Sequence, residues 1–189
     1  MSKKLVVLTL IALFFITIIL RPPIAQIGPL LHEITGDLKL GPTEVGLLAS
    51  APVFTFGAGA FLAPWLLRRF GLNHAILLML AIILASIVLR SWFGYSILLI
   101  GTLVIGLAIA ITNVLLPTFL RVDFPKQTVI LTSGYTTMLA ITASVAAALS
   151  VPASEALGGW QMSLLITAPP ALLAVLFWYP RIREAEPHV

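Results

Sequence analysis

The sequence predicts an all-α membrane protein of six transmembrane helices. Three observations carry that reading. Residues of the set Ala, Val, Ile, Leu, Met, Phe, Trp, Tyr and Cys make up 60% of the 189 residues. Charged residues are 10%, against roughly 25% in a soluble domain. Mean hydropathy is +1.10, and the apolar residues fall in runs long enough to cross a bilayer, about 20 residues each. A soluble enzyme, a disordered chain and a nucleic-acid binder are all excluded, because so few charges cannot cover so much apolar surface. Inside lipid every backbone polar group must be satisfied within the segment or by its neighbours, so the runs are helices.

The first helix is expected at about Leu5–Leu31, interrupted by Arg21-Pro22-Pro23. It follows Lys3-Lys4 as a signal peptide would. It is too long for one, and no cleavage site precedes the further apolar segments, so it is read as a retained span. The others are expected at about 44–67, 74–92, 95–120, 128–151 and 160–179, with 181–189 as a short charged tail. Four connections are short: Phe70-Gly71-Leu72-Asn73, Phe93-Gly94, Val122 to Gln127, and Gly158-Gly159. The longest loop is read at His32 to Thr43, with Gly36 and Gly41-Pro42 as breakers.

Loop charge sets the orientation. With the N-terminus inside, eight cations fall inside, namely Lys3, Lys4, Arg68, Arg69, Arg121, Lys126, Arg181 and Arg183. Lys39 and Arg90 fall outside, and Arg21 lies within a helix. Eight against two places both termini in the cytoplasm, in a bacterial-type inner membrane. The net charge of +4 then reports topology rather than an acidic partner. The chain has no cysteine, so it carries no disulfide, iron–sulfur cluster or thiol nucleophile.

Arg21 is the most informative residue. It lies about 24 Å along the first helix, at 1.5 Å per residue. Arginine near a membrane centre costs about 2.5–3.5 kcal/mol even on the mildest scale. Snorkelling to the headgroups is the bland reading. The apolar segment that continues to Leu31 argues against it, because that segment would lie beyond the interface. The functional reading places Arg21 on a water-accessible cavity, paired with an anionic or strongly dipolar ligand. Pro22 and Pro23 support it, since proline removes backbone donors and kinks the helix, and broken helices mark transporter sites.

Asn113, one turn before Pro117, offers either an interhelical hydrogen bond or a ligand contact. Tyr135 stands among the packing residues of the fifth helix, Thr132, Ser133, Thr136, Thr137, Thr142 and Ser144, and is long enough to reach a ligand. Gln26 completes the candidate set of Arg21, Asn113, Tyr135 and Gln26. His32, Glu33 and Asp37 lack metal-ligand spacing, and neither metal nor cofactor is expected. No acid lies deep in a helix, so no proton-coupling group is assigned. No Ser/His/Asp grouping, H-E-x-x-H or phosphate-binding loop is present, so the chain is not expected to be an enzyme.

Three segments resemble a known family. Leu20-Arg21-Pro22 followed by Gly28-Pro29-Leu30-Leu31 is similar to the first helix of the cyanate/2-nitroimidazole porter family of the major facilitator superfamily. Ala63-Pro64-Trp65-Leu66-Leu67-Arg68-Arg69-Phe70-Gly71 resembles its loop between helices two and three. Asn113-Val114-Leu115-Leu116-Pro117, with Arg121-Val122-Asp123-Phe124-Pro125, resembles its end of helix four, closest to the 2-nitroimidazole-porter branch, and Gly159-Trp160-Gln161 fits the start of helix six. The chain departs from the superfamily in lacking the loop Asp between Ala63 and Gly71. It also departs from drug antiporters, having Thr102 where many carry Arg and no Gly-Pro signature in helix five.

The resemblance implies one half of a twelve-helix fold, matching the N-terminal half. It implies secondary transport of a small anion or small polar compound by alternating access, with the solute between the halves against Arg21. The expected partners are the lipid bilayer, that solute and a second six-helix half, either a C-terminal half or a second copy in a parallel homodimer. The alternatives are a truncated or split-gene fragment, inactive until a C-terminal half is supplied, and a non-transport membrane scaffold.

Overall fold

The computed structural model describes residues 3–184. Its elements are all helical: α1 Lys3–Ile19, α2 Pro22–Ala25, α3 Ile27–Leu38, α4 Pro42–Phe70, α5 Leu72–Arg90, α6 Gly94–Asp123, α7 Thr128–Leu157, α8 Trp160–Leu165, α9 Ala168–Trp178 and α10 Pro180–Glu184. Five stretches are long and apolar enough to cross a membrane, and a sixth is added when Pro42–Gly59 and Phe61–Phe70 count as one bent span. We call the end where α1 begins the near end and the other the far end.

The first span is broken in two places. Pro22 and Pro23 cannot donate backbone hydrogen bonds. Accordingly α1 stops at Ile19, and the chain passes Leu20-Arg21 before α2 begins. The sixth span is likewise divided between α8 and α9.

Helix α3 corrects the predicted loop. The segment His32 to Thr43 stays helical to Leu38 and ends with Lys39 in the left-handed region, at φ 52°. Local sequence misled here because tertiary contacts decide. Ile34 is fully buried, the Ser154 hydroxyl donates to Glu33 Oε2, and Trp160 Nε1 donates to Asp37 Oδ2 over 2.9 Å. The turn into α4 does follow the breakers. Pro42 opens the helix, and Gly41 N donates to Glu44 Oε2 over 2.7 Å.

Two apolar cores result. The larger includes Ile16, Ile83, Ile109, Phe119 and Trp178. The smaller lies at the far end and joins Ile27, Leu30, Ile34, Leu48, Leu98, Trp160 and Leu164. Glycine lets α4 and α6 approach closely. A Cβ at Gly106 would collide with Thr55 Oγ1, and one at Gly59 with Ala110 Cβ.

Two loop cations of the predicted topology are in fact buried. Arg90, counted outside, ends α5 with no exposed surface. Arg181, counted in the tail, is 4% exposed and lies in α10. Loop counting assumes that terminal charges are solvated, and packing overrides that assumption for both. Residues 185–189 of the expected tail lie outside the described residues.

Crowding at Gly106 is testable. Gly106→Val should lower stability by about 1–3 kcal/mol, the usual cost of overpacking. Gly57→Val should not, because nothing lies within 4 Å of a Cβ there. Melting temperatures of the two detergent-purified variants check this contrast.

Candidate functional site

Arg21 sits at the gap between α1 and α2, and its side chain is exposed. A continuous helix would fix the residue in the packing of the span. The break frees it to stand on the open face. Its Cζ lies over the Phe56 ring of α4, 5.9 Å from the centroid, a cation–π distance. Across the face, Tyr135 Oη of α7 donates to Asn113 Oδ1 of α6 over 2.7 Å. The short α2 that follows Arg21 packs against both α7 and α6, the helices of that pair. Three of the four sequence candidates, Arg21, Asn113 and Tyr135, therefore share one face drawn from three spans.

An apolar cavity of about 300 Å³ runs from Tyr135 towards the near end between α1, α6 and α7. Leu13, Thr17, Leu120 and Met138 are among its walls. The site thus combines one cation, one tyrosine–asparagine pair, an aromatic ring and an apolar floor. Such a set can hold an electron-rich group at the guanidinium and a flat or apolar body beside it.

Gln26 does not join them. It is 4% exposed, and its Nε2 donates to Ser163 O of α8 over 3.0 Å. It lines a separate cavity of about 540 Å³ between the first span, α7 and the α8–α9 region. Gln26 ties the broken first span to the broken sixth one. Thr142 of α7 similarly donates to Thr17 O of α1 over 3.2 Å.

Sequence reasoning missed two further clusters. At the near end, Arg181 pairs with Asp123 Oδ2. It also donates to Thr9 Oγ1 over 2.8 Å and to Asn73 Oδ1 over 3.3 Å. Its Cζ lies 4.5 Å from the Phe119 ring centroid and 5.6 Å from that of Trp178. One guanidinium thus joins α1, α5, α6 and α10. A signal was present, since Asp123 is the sole acid between Glu44 and Glu155. The second cluster is Arg90, whose Nη2 donates to Pro23 O over 2.8 Å.

Comparison with known proteins follows the same lines. The sequence model of the Major Facilitator Superfamily matches residues 5–189. The "Uncharacterized transporter YycB" of Bacillus subtilis (strain 168) is 37% identical over 175 residues, covering 92% of this chain and 44% of the relative. The "2-nitroimidazole transporter" of Escherichia coli (strain K12) is 33% identical over 186 residues, covering 98% and 47%. The "Cyanate transport protein CynX" of the same organism is 24% identical over 170 residues, covering 89% and 44%. The chain spans about half the length of the curated relatives it matches. These relatives are transporters, not enzymes.

The near-end pair gives a prediction. Asp123→Asn should destabilise the bundle by about 3–5 kcal/mol, because it takes the carboxylate away from a buried guanidinium. Adding Arg181→Met should recover most of that loss. A double-mutant cycle on thermal unfolding measures the coupling.

Proposed function

The chain belongs to the major facilitator superfamily as one six-helix half of its fold, and on that premise we propose that it is half of a secondary transporter whose solute binds against Arg21. The observation that carries this reading is an exposed guanidinium at the break of the first span, beside Phe56, where the chain enters a short helix packed against the two helices of the Tyr135–Asn113 pair. Arg21 holds the anionic or electron-rich end of the solute. Tyr135 and Asn113 fix its orientation by hydrogen bonding. Gln26 acts at a distance, by tying the broken span that carries Arg21 to Ser163 of α8.

Two relatives, a 2-nitroimidazole transporter and a cyanate transport protein, support a small anionic or polar solute. Cyanate is a small linear anion, and 2-nitroimidazole is a flat ring whose nitro oxygens carry partial negative charge. Both chemistries suit a guanidinium set over an aromatic ring. Transport proceeds by alternating access, the two halves rocking about the solute. The chain therefore works with a second six-helix half, either a C-terminal half or a second copy. The excess of cations on near-end loops supports a cytoplasmic position for both termini in a bacterial-type inner membrane.

The coverage of about half of each relative favours a second reading for the chain by itself, in which it inserts and binds but moves no solute until the other half is supplied. Transport by vesicles holding this chain alone would refute that reading.

Arg21→Gln should abolish binding of cyanate and of 2-nitroimidazole to the nanodisc-held chain while leaving insertion intact. Titration calorimetry and light scattering, with and without cyanate, measure affinity and assembly mass together. Unchanged affinity in the variant would sink the assignment. A dimer strengthened by cyanate would identify the second half as another copy.

A further inference from the structure

Arg90 is a full positive charge that the proposed site does not touch. It has no exposed surface, and it makes one hydrogen bond, from Nη2 to Pro23 O. Its Nε and Nη1 are buried without a partner. Among the described residues the one ion pair is Arg181–Asp123, so no carboxylate neutralises Arg90. The hydroxyls next to it in sequence and packing are spent locally. Ser91 donates to Ile87 O, and Thr102 to Leu98 O. Helix α6 makes room for the arginine stem with a glycine, since a Cβ at Gly101 would stand 2.6 Å from Arg90 Cβ.

The carbonyl that Arg90 holds is the informative part. Pro23 lies two residues after Arg21, in the short α2 that follows the gap. Arg90 therefore pins, from behind, the backbone segment that presents Arg21 to the open face. A neutral amide donor would make that bond with a far smaller desolvation cost. A buried charge with two idle donors is a poor choice for stability alone. Its remaining use is its field. Inside a low-dielectric bundle a fixed charge acts over a long distance, and it costs no reorganisation when a ligand arrives.

We propose that Arg90 is a hidden second cation of the solute site, a positioning residue that staples the broken first span behind Arg21 and adds its positive field to the cavity without touching the solute. This rests on the reading of Arg21 as the solute anchor. It makes two separable claims: the hydrogen bond sets geometry, and the charge favours anions.

The test uses the whole chain in nanodiscs, with cyanate as the anionic probe and 2-nitroimidazole at a pH that keeps its ring neutral. Arg90→Gln should weaken cyanate binding on the order of tenfold, the scale of one lost charge interaction. It should weaken the neutral probe far less. Arg90→Lys should restore most of the cyanate affinity. The staple is read independently of any solute. The chain has no cysteine, so Ala25→Cys gives a single label on α2, and maleimide labelling should accelerate several-fold in Arg90→Met, which keeps an unbranched side chain but has no donor for Pro23 O. Equal loss of both probes would mean a merely structural residue and overturn the field. Unchanged labelling in Arg90→Met would overturn the staple, and Arg90→Leu, also without a donor, serves for this arm if the methionine variant does not fold. Cyanate binding that Arg21→Gln removes and Arg90→Gln leaves intact would overturn Arg90's part alone. No cyanate binding by the unaltered chain would overturn the solute reading and Arg90's part in it together.

Discussion

The structure depends on one constraint, that a carbonyl freed inside a bilayer must find a donor within the protein. Pro22 and Pro23 break the first span, and lipid offers no water to repair it. The neighbouring helices do so instead. Arg90 of α5 reaches Pro23 O, and Thr142 of α7 reaches Thr17 O. Gln26, just past the break, answers the break in the sixth span by donating to Ser163 O. Three donors on three spans therefore tie down carbonyls beside the two interruptions. The exposed Arg21 is what this repair leaves on the open face. Site and scaffold are consequences of the same two prolines.

The ends of the bundle solve a second problem, which is how to hold spans together where no hydrophobic force acts between them. Helix association in lipid relies on close packing and polar contacts. At the near end Arg181 performs this task for four helices, with a carboxylate, two neutral acceptors and two aromatic faces. At the far end the acids of α3 perform it, as Glu33 accepts from Ser154 and Asp37 accepts from Trp160. Between the ends, Gly59 and Gly106 bring α4 and α6 into contact.

How much of this was legible in the sequence depends on the range of each interaction. Bilayer crossing is a property of composition and run length, so the helical membrane fold was legible throughout. The break at Arg21 was legible because proline acts on its own backbone. Asn113 and Tyr135 stood out as polar side chains in apolar helices, and the structure brings them together. Gln26 carried the same signal but points to another cavity, because spacing along a broken helix no longer fixes direction. The helix through Gly36 was hidden, since Ile34, Glu33 and Asp37 hold it through partners over a hundred residues away. Arg90 and Arg181 were hidden for a related reason. A charge at a helix end looks solvated until the packing around it is known.

The least buried of the spans is α7, which carries Tyr135 on the proposed solute face. Of its 30 residues, α7 buries only Tyr135, Leu139, Ser150 and Ser154. It is held mainly by directional bonds, from Tyr135 to Asn113, from Thr142 to Thr17 O, from Ser154 to Glu33, and from Ser163 to Ser150 O. Hydrogen bonds of this kind in a membrane are individually weak. They can be exchanged without tearing open an apolar core. Ser133, Thr137 and Ser144, spaced along one exposed side of α7, are poorly matched to hydrocarbon but well suited to a second bundle or a hydrated cavity. A wall that is weakly buried on one side and polar on the other suits alternating access, because it can follow a rocking partner while the Arg90-held segment keeps Arg21 in place.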